Sequence, residues 1–293
     1  MAFTLAHLSD PHLAPLPEPH WSELIGKRIT GYINWRRRRH LVHDADVLSK
    51  IVADLKAQKP DHIAVTGDLA NIALREEFVH GRDWLKSLGE PEEVSVVPGN
   101  HDAYVRAGMG YAIRNWGDYM CGDHDAADFP YVRRRGPLAL IGLSTAVPTP
   151  PFMATGRLGK EQLVRLRETL GELKRETFRV VLIHHPPVSE ASPHKRLTDA
   201  GALRGVIAEL GAELLIHGHD HLTMMNWLAG PDGTRVPAVG VSSASAAPGK
   251  SHDAAGYNLY RIDGAPGAWS CEMISRGIDP AFAVTEQRRL KLF

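Results

Sequence analysis

Asn100 and His101 stand on a turn, Val97-Pro98-Gly99-Asn100-His101-Asp102, that follows the apolar residues Val94, Val96 and Val97. Pro98 and Gly99 end the strand predicted there, so two polar side chains are presented at a strand's carboxyl end. An Asn carbonyl oxygen can ligate a metal, and the adjacent His can pass a proton to a leaving group without binding metal itself. Gly-Asn is also ordinary turn chemistry, so this turn alone leaves both readings open. The same device recurs along the chain. Asp10-Pro11-His12 follows Phe3 to Leu8, Asp68 follows His62 to Thr66, His184 follows Arg179 to Ile183, and His219 and His221 follow Glu213 to Ile216. Asp10 and His12, held either side of a stiff proline, can converge on a cation or can be an Asp-Pro turn with a His beside it. Buried His and Asp are costly without partners, so repeated delivery to strand ends points to one shared site. Its donors are Asp10, His12, Asp68, Asn100, His184, His219 and His221. This thiolate-free set suits Mn, Fe, Zn or Co better than a structural zinc knot.

The elements that must place these turns alternate in type. Val47, Leu48, Ile51, Val52 and Leu55 have helical spacing within Leu41 to Gln58, and Arg75 to Leu88 reads as a second helix closed by Gly89. With the flanking strands this is a βαβαβ pattern, which implies parallel strands whose carboxyl ends form the ligand-binding edge. Further along, Tyr131 to Arg134 and Leu138 to Ser144 read as a strand pair, and Leu158 to Leu173 and Leu203 to Leu210 as helices. Residues 222 to 275 read as a β-rich part. Ala103 to Asp128 carries little signal, with His124 in an exposed acidic run, and the tail from Glu286 reads as a solvated end.

Residues 15 to 40 form an insert of a different character. Pro15, Pro17 and Pro19 exclude helix, Trp21 to Thr30 is amphipathic, and Trp35 to His40 is strongly basic. Three readings stand together: a lid over an anionic substrate, an interfacial segment on lipid headgroups through residues 21 to 40, or a solvated basic helix packed by its tryptophans.

Composition narrows the class. The chain has 293 residues, 43% hydrophobic and 23% charged, enough for one large domain with a core that needs no covalent staples. Cys121 and Cys271 are far apart in sequence and in no ligand spacing, which favours a reducing compartment, taken here as the cytoplasm. No basic leader or cleavage site precedes Asp10, so no signal peptide is expected, and no apolar run reaches the length of a membrane span. A formal net charge of zero removes the global argument for nucleic acid. A small-molecule substrate is expected, and a homo-oligomer stays open.

In order, the motifs are Asp10-x-His12, Gly67-Asp68, Gly99-Asn100-His101-Asp102, His184 and Gly218-His219-x-His221. This series resembles the calcineurin-like metallophosphoesterases, over residues 10 to 221. The resemblance implies an α/β, four-layer αββα sandwich of two mixed β-sheets flanked by helices, as a single domain over residues 1–293. It implies a dinuclear centre in which Asp10, His12, Asp68 and His221 hold one metal and Asp68, Asn100, His184 and His219 the other, Asp68 bridging, with Mn or Fe favoured. A bridging hydroxide would attack a phosphodiester, since two cations offset its charge and lower the pKa of the water. His101 would assist the leaving group and Asp102 would orient His101. His185 and His217 fall outside the motifs and are expected to be structural.

Within the family the chain resembles the bacterial cyclic-nucleotide phosphodiesterases, in size, in Gly67-Asp68-Leu69-Ala70-Asn71 and in His184-His185-Pro186-Pro187. An alternative substrate class is a lipid-linked phosphodiester or pyrophosphate, met at a membrane surface by Trp21, Trp35 and the arginines. A non-enzymatic alternative is a binding scaffold of the same fold.

Overall fold

The computed structural model describes residues 2–123, 126–173, 177–249 and 252–293. His124 therefore lies outside the described residues. The chain forms two mixed six-stranded sheets. In the first, β1 (Phe3–Leu8), β2 (His62–Val65) and β3 (Val94–Val96) run parallel. Three antiparallel strands extend it from β1: β10 (Gly256–Ala265), β11 (Ala268–Ile278) and β12 (Val284–Lys291). The second contains β4 (Tyr131–Arg135), β5 (Leu138–Gly142), β6 (Phe178–Leu182), β7 (Leu214–His217), β8 (Met224–Ala229) and β9 (Arg235–Gly240). Its order is β4-β5-β6-β7-β9-β8, with the four central strands parallel and the two edge strands antiparallel to their neighbours.

Strand periodicity explains the layering. On β5, β6 and β7, Leu138, Leu140, Phe178, Val180, Leu182, Leu214 and Ile216 point into the core shared with the first sheet. Their alternates Ala139, Ile141, Val181 and Leu215 point the other way, into a second core beneath α5 (Lys160–Glu172) and α6 (Ala200–Leu210). Because successive side chains leave a strand on opposite faces, strands buried on both sides read as continuous apolar runs. On the far side, α2 (Ala45–Ala57) and α3 (Arg75–Leu88) bury Ile51, Leu55, Phe78 and Leu85 in the first core, which completes the αββα sandwich. Asp44 caps α2 by accepting from the backbone N–H of Asp46 and Val47 at 2.7 and 3.0 Å.

Three sequence expectations are corrected. The poorly marked stretch contains a helix, α4 (Gly108–Trp116), whose buried Trp116 donates to the Phe78 carbonyl at 2.9 Å. Tertiary packing on α3 overrides the weak helix propensity of its glycines. The insert helix starts later than its amphipathic stretch suggests. A 3-10 turn covers Trp21–Leu24, Gly26 takes φ 83°, and α1 runs from Lys27 to Arg37. Finally, the tail from Glu286 is not a frayed end but part of β12, paired along β11 from Val284 to Lys291. An edge strand carrying Arg288 and Arg289 resembles a solvated tail in composition, and such charges discourage further strand pairing. Cys121 and Cys271 are both free, and among the described residues no helix is long and apolar enough to cross a membrane.

Candidate metal centre

The carboxyl ends of β1, β2, β6 and β7, with the turn beyond β3, converge at one edge of the double sheet. There the structure brings all seven sequence-selected donors together. Five of them lie in the left-handed region: Asp10 (φ 52°), His12 (37°), Asp68 (57°), His219 (72°) and His221 (55°). Non-glycine residues pay roughly 1–2 kcal/mol to enter that region, so such a cluster persists only where surrounding structure holds it. Close approach is part of that restraint. A Cβ at Gly99 would meet Asp68 Oδ1 at 2.2 Å, and one at Gly218 would meet Asp10 Oδ2 at 2.3 Å.

The donor atoms fall into two groups about one carboxylate. Nδ1 of His12 donates to the Ala70 carbonyl at 3.2 Å, which turns Nε2 inward. That nitrogen faces His221 Nε2 at 3.2 Å, Asp68 Oδ2 at 3.8 Å and Asp10 Oδ1 at 3.9 Å. On the other side, His184 Nδ1 donates to the Thr66 carbonyl at 2.6 Å. Its Nε2 then faces Asn100 Oδ1 at 3.2 Å, His219 Nδ1 at 3.3 Å and Asp68 Oδ2 at 3.4 Å. His219 Nε2 is occupied by the Lys195 carbonyl at 2.7 Å. Backbone carbonyls thus set the tautomers of three histidines and leave their other nitrogens aimed at common points.

These residues fit metal ions. Asp10 Oδ1 is buried without a hydrogen-bond donor, although His219 N–H donates to its Oδ2 at 3.0 Å. His12 Nε2 and His219 Nδ1 face other imidazole nitrogens at 3.2 and 3.3 Å while their own second nitrogens are committed to the Ala70 and Lys195 carbonyls. Lone pairs gathered in this way, with two buried carboxylates, call for cations. Burial alone would drive His184 toward its neutral form, but the Asp68 carboxylate beside it pushes its pKa up to about 10.

Asp102 does not orient His101. Its carboxylate points back into the loop after β2, accepting from the N–H groups of Asp68 and Ala70 at 2.9 Å each and of Gly99 at 2.8 Å. It braces the two ligand-bearing turns against each other. His101 is held instead by the Asn71 carbonyl, to which Nδ1 donates, and by Tyr104, stacked at 5.5 Å. The Asn71 turn is itself pinned by the buried Glu77, which accepts from the N–H of Asn71 at 2.5 Å and of Leu74 at 2.8 Å.

Two further residues stand at the site, Arg39, which the sequence marked only as part of the basic insert, and His43, which it did not mark. Arg39, just past α1, places Nη1 2.8 Å from Nε2 of His101. His43 lies 4.4 Å from the His12 ring and is fixed by Ser245 Oγ at 2.9 Å and by Trp35, near-parallel at 6.3 Å. The only local signal is the four-residue spacing of Trp35, Arg39 and His43, which no motif marks. His185 is adjacent but spent, since Thr145 Oγ1 at 2.7 Å and the Ala154 carbonyl at 3.1 Å engage both ring nitrogens. His217 is buried behind the site, with Nδ1 3.3 Å from the Gly218 carbonyl. Outside the ligands opens a cavity of about 840 Å³, lined by residues that include Arg38, Arg39, His101 and Lys195.

Strand-end turns that focus two sets of His, Asp and Asn donors on a shared carboxylate define a metal-binding α/β sandwich protein. A profile of the calcineurin-like phosphoesterases matches residues 3–222, and the chain belongs to that family of metal-dependent hydrolases. It is 29% identical over 138 residues to a probable cyclic nucleotide phosphodiesterase of Synechococcus sp., a match spanning 47% of this chain and 47% of that protein. In fold it is similar to a dimetal phosphatase from Danio rerio, with a TM-score of 0.61 at 14% identity over 99% of this chain and 98% of that one. A purple acid phosphatase from yellow lupin also gives 0.61, at 13% identity over 99% of this chain and 54% of the other.

Proposed function

We propose that the protein hydrolyses phosphodiester bonds of small-molecule substrates at a centre of two metal ions, with cyclic nucleotides as one candidate class. The observation that carries this reading is Asp68 Oδ2, which lies 3.8 Å from His12 Nε2 and 3.4 Å from His184 Nε2, between the two donor groups. Asp10, His12, Asp68 and His221 would hold one ion and Asp68, Asn100, His184 and His219 the other. Bound there, two cations such as Mn or Fe would neutralise phosphate charge and activate a water for in-line attack.

The chain's own residues supply the rest. Arg39 and Lys195 line the cavity as cations, and its volume accommodates a phosphate with both substituents. In the substrate-free protein, burial first and then the Arg39 guanidinium hold His101 down at about 3. A phosphodiester anion bound beside Arg39 would draw the guanidinium off Nε2 and offset its charge, so His101 Nε2 can carry a proton to the leaving oxygen. The probable cyclic nucleotide phosphodiesterase among its relatives supports the diester over the monoester. Unpaired Cys121 and Cys271 suit a reducing compartment such as the cytoplasm.

The test is hydrolysis of bis(p-nitrophenyl) phosphate against p-nitrophenyl phosphate by metal-stripped protein reconstituted with Mn, with Asn100→Ala as control. Metal-dependent preference for the diester, lost in the control, supports the proposal. Preference for the monoester overturns it in favour of a phosphatase.

A further inference from the structure

We propose that α1 and the turn before it seat the protein on an anionic lipid surface. The inner side of α1 is fully used by the fold. Arg28 Nε donates to the Ile72 carbonyl at 3.1 Å, Gly31 lies against Tyr104 and Ile72, and Trp35 is buried beside His43. Helical geometry then turns Ile29, Ile33, Arg36 and Arg37 outward. Ile29 and Ile33, one turn apart, are 42% and 43% exposed, and Ile25, just before the helix, is 72% exposed.

The apolar surface extends beyond the helix. Trp21 is 74% exposed and Phe152 84%. Lys27 ties the Phe152 loop to α1, donating to Thr149 Oγ1 at 2.7 Å and to the Met153 carbonyl at 3.1 Å. Large apolar side chains left exposed along one insert and on the loop tied to it mark a docking site.

Charge identifies what docks. Arg36, Arg37 and Arg38 are exposed at the carboxyl end of the apolar stripe, and none of the ion pairs among the described residues uses them. Exposed isoleucines on α1, the exposed Trp21 of the preceding turn and guanidinium groups free of carboxylate partners, Arg36 resting on Tyr32, match the headgroup layer of an anionic bilayer. The same insert carries Arg39 into the metal site, and Arg38, at the carboxyl end of the stripe, lines the cavity, so the docked face meets the cavity at that corner. Lipid-linked phosphodiesters thereby come within reach of the site. That consequence rests on the phosphodiesterase reading, whereas the docking does not.

The experiment is co-sedimentation of the full chain, in EDTA, with phosphatidylcholine vesicles with and without phosphatidylglycerol. At low salt the protein should pellet with the anionic vesicles only and be released by high salt. Ile29→Asp/Ile33→Asp should lower the bound fraction roughly tenfold or more, as should Arg36→Gln/Arg37→Gln. All four residues are exposed, so unfolding is not expected, and thermal melts check this. If the Ile pair does not fold, the Arg pair decides alone. Failure to bind anionic vesicles at low salt overturns the proposal, as does binding undiminished in the folded variants. It also falls if the protein is a dimer that Ile29→Asp/Ile33→Asp dissolves, since a second copy then covers this face. Because chelated protein is used, none of these outcomes depends on catalysis.

Discussion

Nη1 of Arg39 stands 2.8 Å from Nε2 of His101, across 62 residues of sequence. With Nδ1 of His101 committed to the Asn71 carbonyl, Nε2 is the ring's free face, and Arg39 closes it with a positive charge. The pair lines the cavity beside the metal ligands, and an anion reaches His101 Nε2 only by drawing Arg39 away from it.

Arg39→Met is therefore expected to lower kcat/KM for a phosphodiester about 100- to 1,000-fold while metal content stays unchanged. In the metal-free variant, His101 should titrate above the value of about 3 that burial and Arg39 now impose. Kinetics, metal analysis and NMR titration of the ring check this. Unchanged turnover would remove Arg39 from the substrate site.

Asp68 and Asp10 should differ in metal stoichiometry. Asp68 Oδ2 faces both donor groups, so Asp68→Asn should cost both ions, whereas Asp10→Asn should lose only the ion shared with His12 and His221. Quantitative elemental analysis after desalting reads the difference. Metal uptake near pH 8 should also release a proton, because Asp68 overcomes burial and raises His184 to about 10, so the metal-free ring is charged there. Calorimetry in two buffers of different ionisation enthalpy measures that proton.

Asp102→Asn tests bracing against orientation. Its carboxylate accepts three backbone N–H bonds, and an amide must turn an NH2 group toward at least one of those donors. The expected result is a loss of about 2–3 kcal/mol in urea unfolding. Stability unchanged beside a large fall in kcat would restore the orienting role.

Asp54 gives a pH dependence away from the site. Burial would raise its pKa, but Arg276 (2.7 and 2.8 Å) and the Tyr257 hydroxyl (2.6 Å) outweigh burial and hold it below 3.8. A depressed carboxyl stabilises the fold fully above its unfolded value and loses that contribution as pH falls through the folded one. Asp54→Asn should thus cost about 1–2 kcal/mol at pH 7, a figure reduced for partial exposure, with the difference narrowing below pH 3.8. Urea melts at pH 7 and pH 3 make the comparison, and equal deficits at both would contradict it.

Much of the architecture was legible because its signals are local. Apolar runs ended by Pro and Gly marked β1, β2, β3, β6 and β7, and helical spacing marked α2 and α3. The polar residues after the strands named the seven donors that the fold gathers. Local signals failed where packing decides. Glycines hid α4, which Trp116 secures on α3, and charged residues hid β12, whose order comes from pairing with β11. The sequence by itself thus determined which residues could ligate and which strand ends would present them. Only the tertiary structure decided that Asp102 braces the turns, that Arg39 faces His101 and that His43 joins the site. The physical reason is that each of those relations joins segments far apart in the chain. Spacing encodes a turn or a helix face, whereas the partner of a buried carboxylate or guanidinium is settled when the sheets and the insert pack.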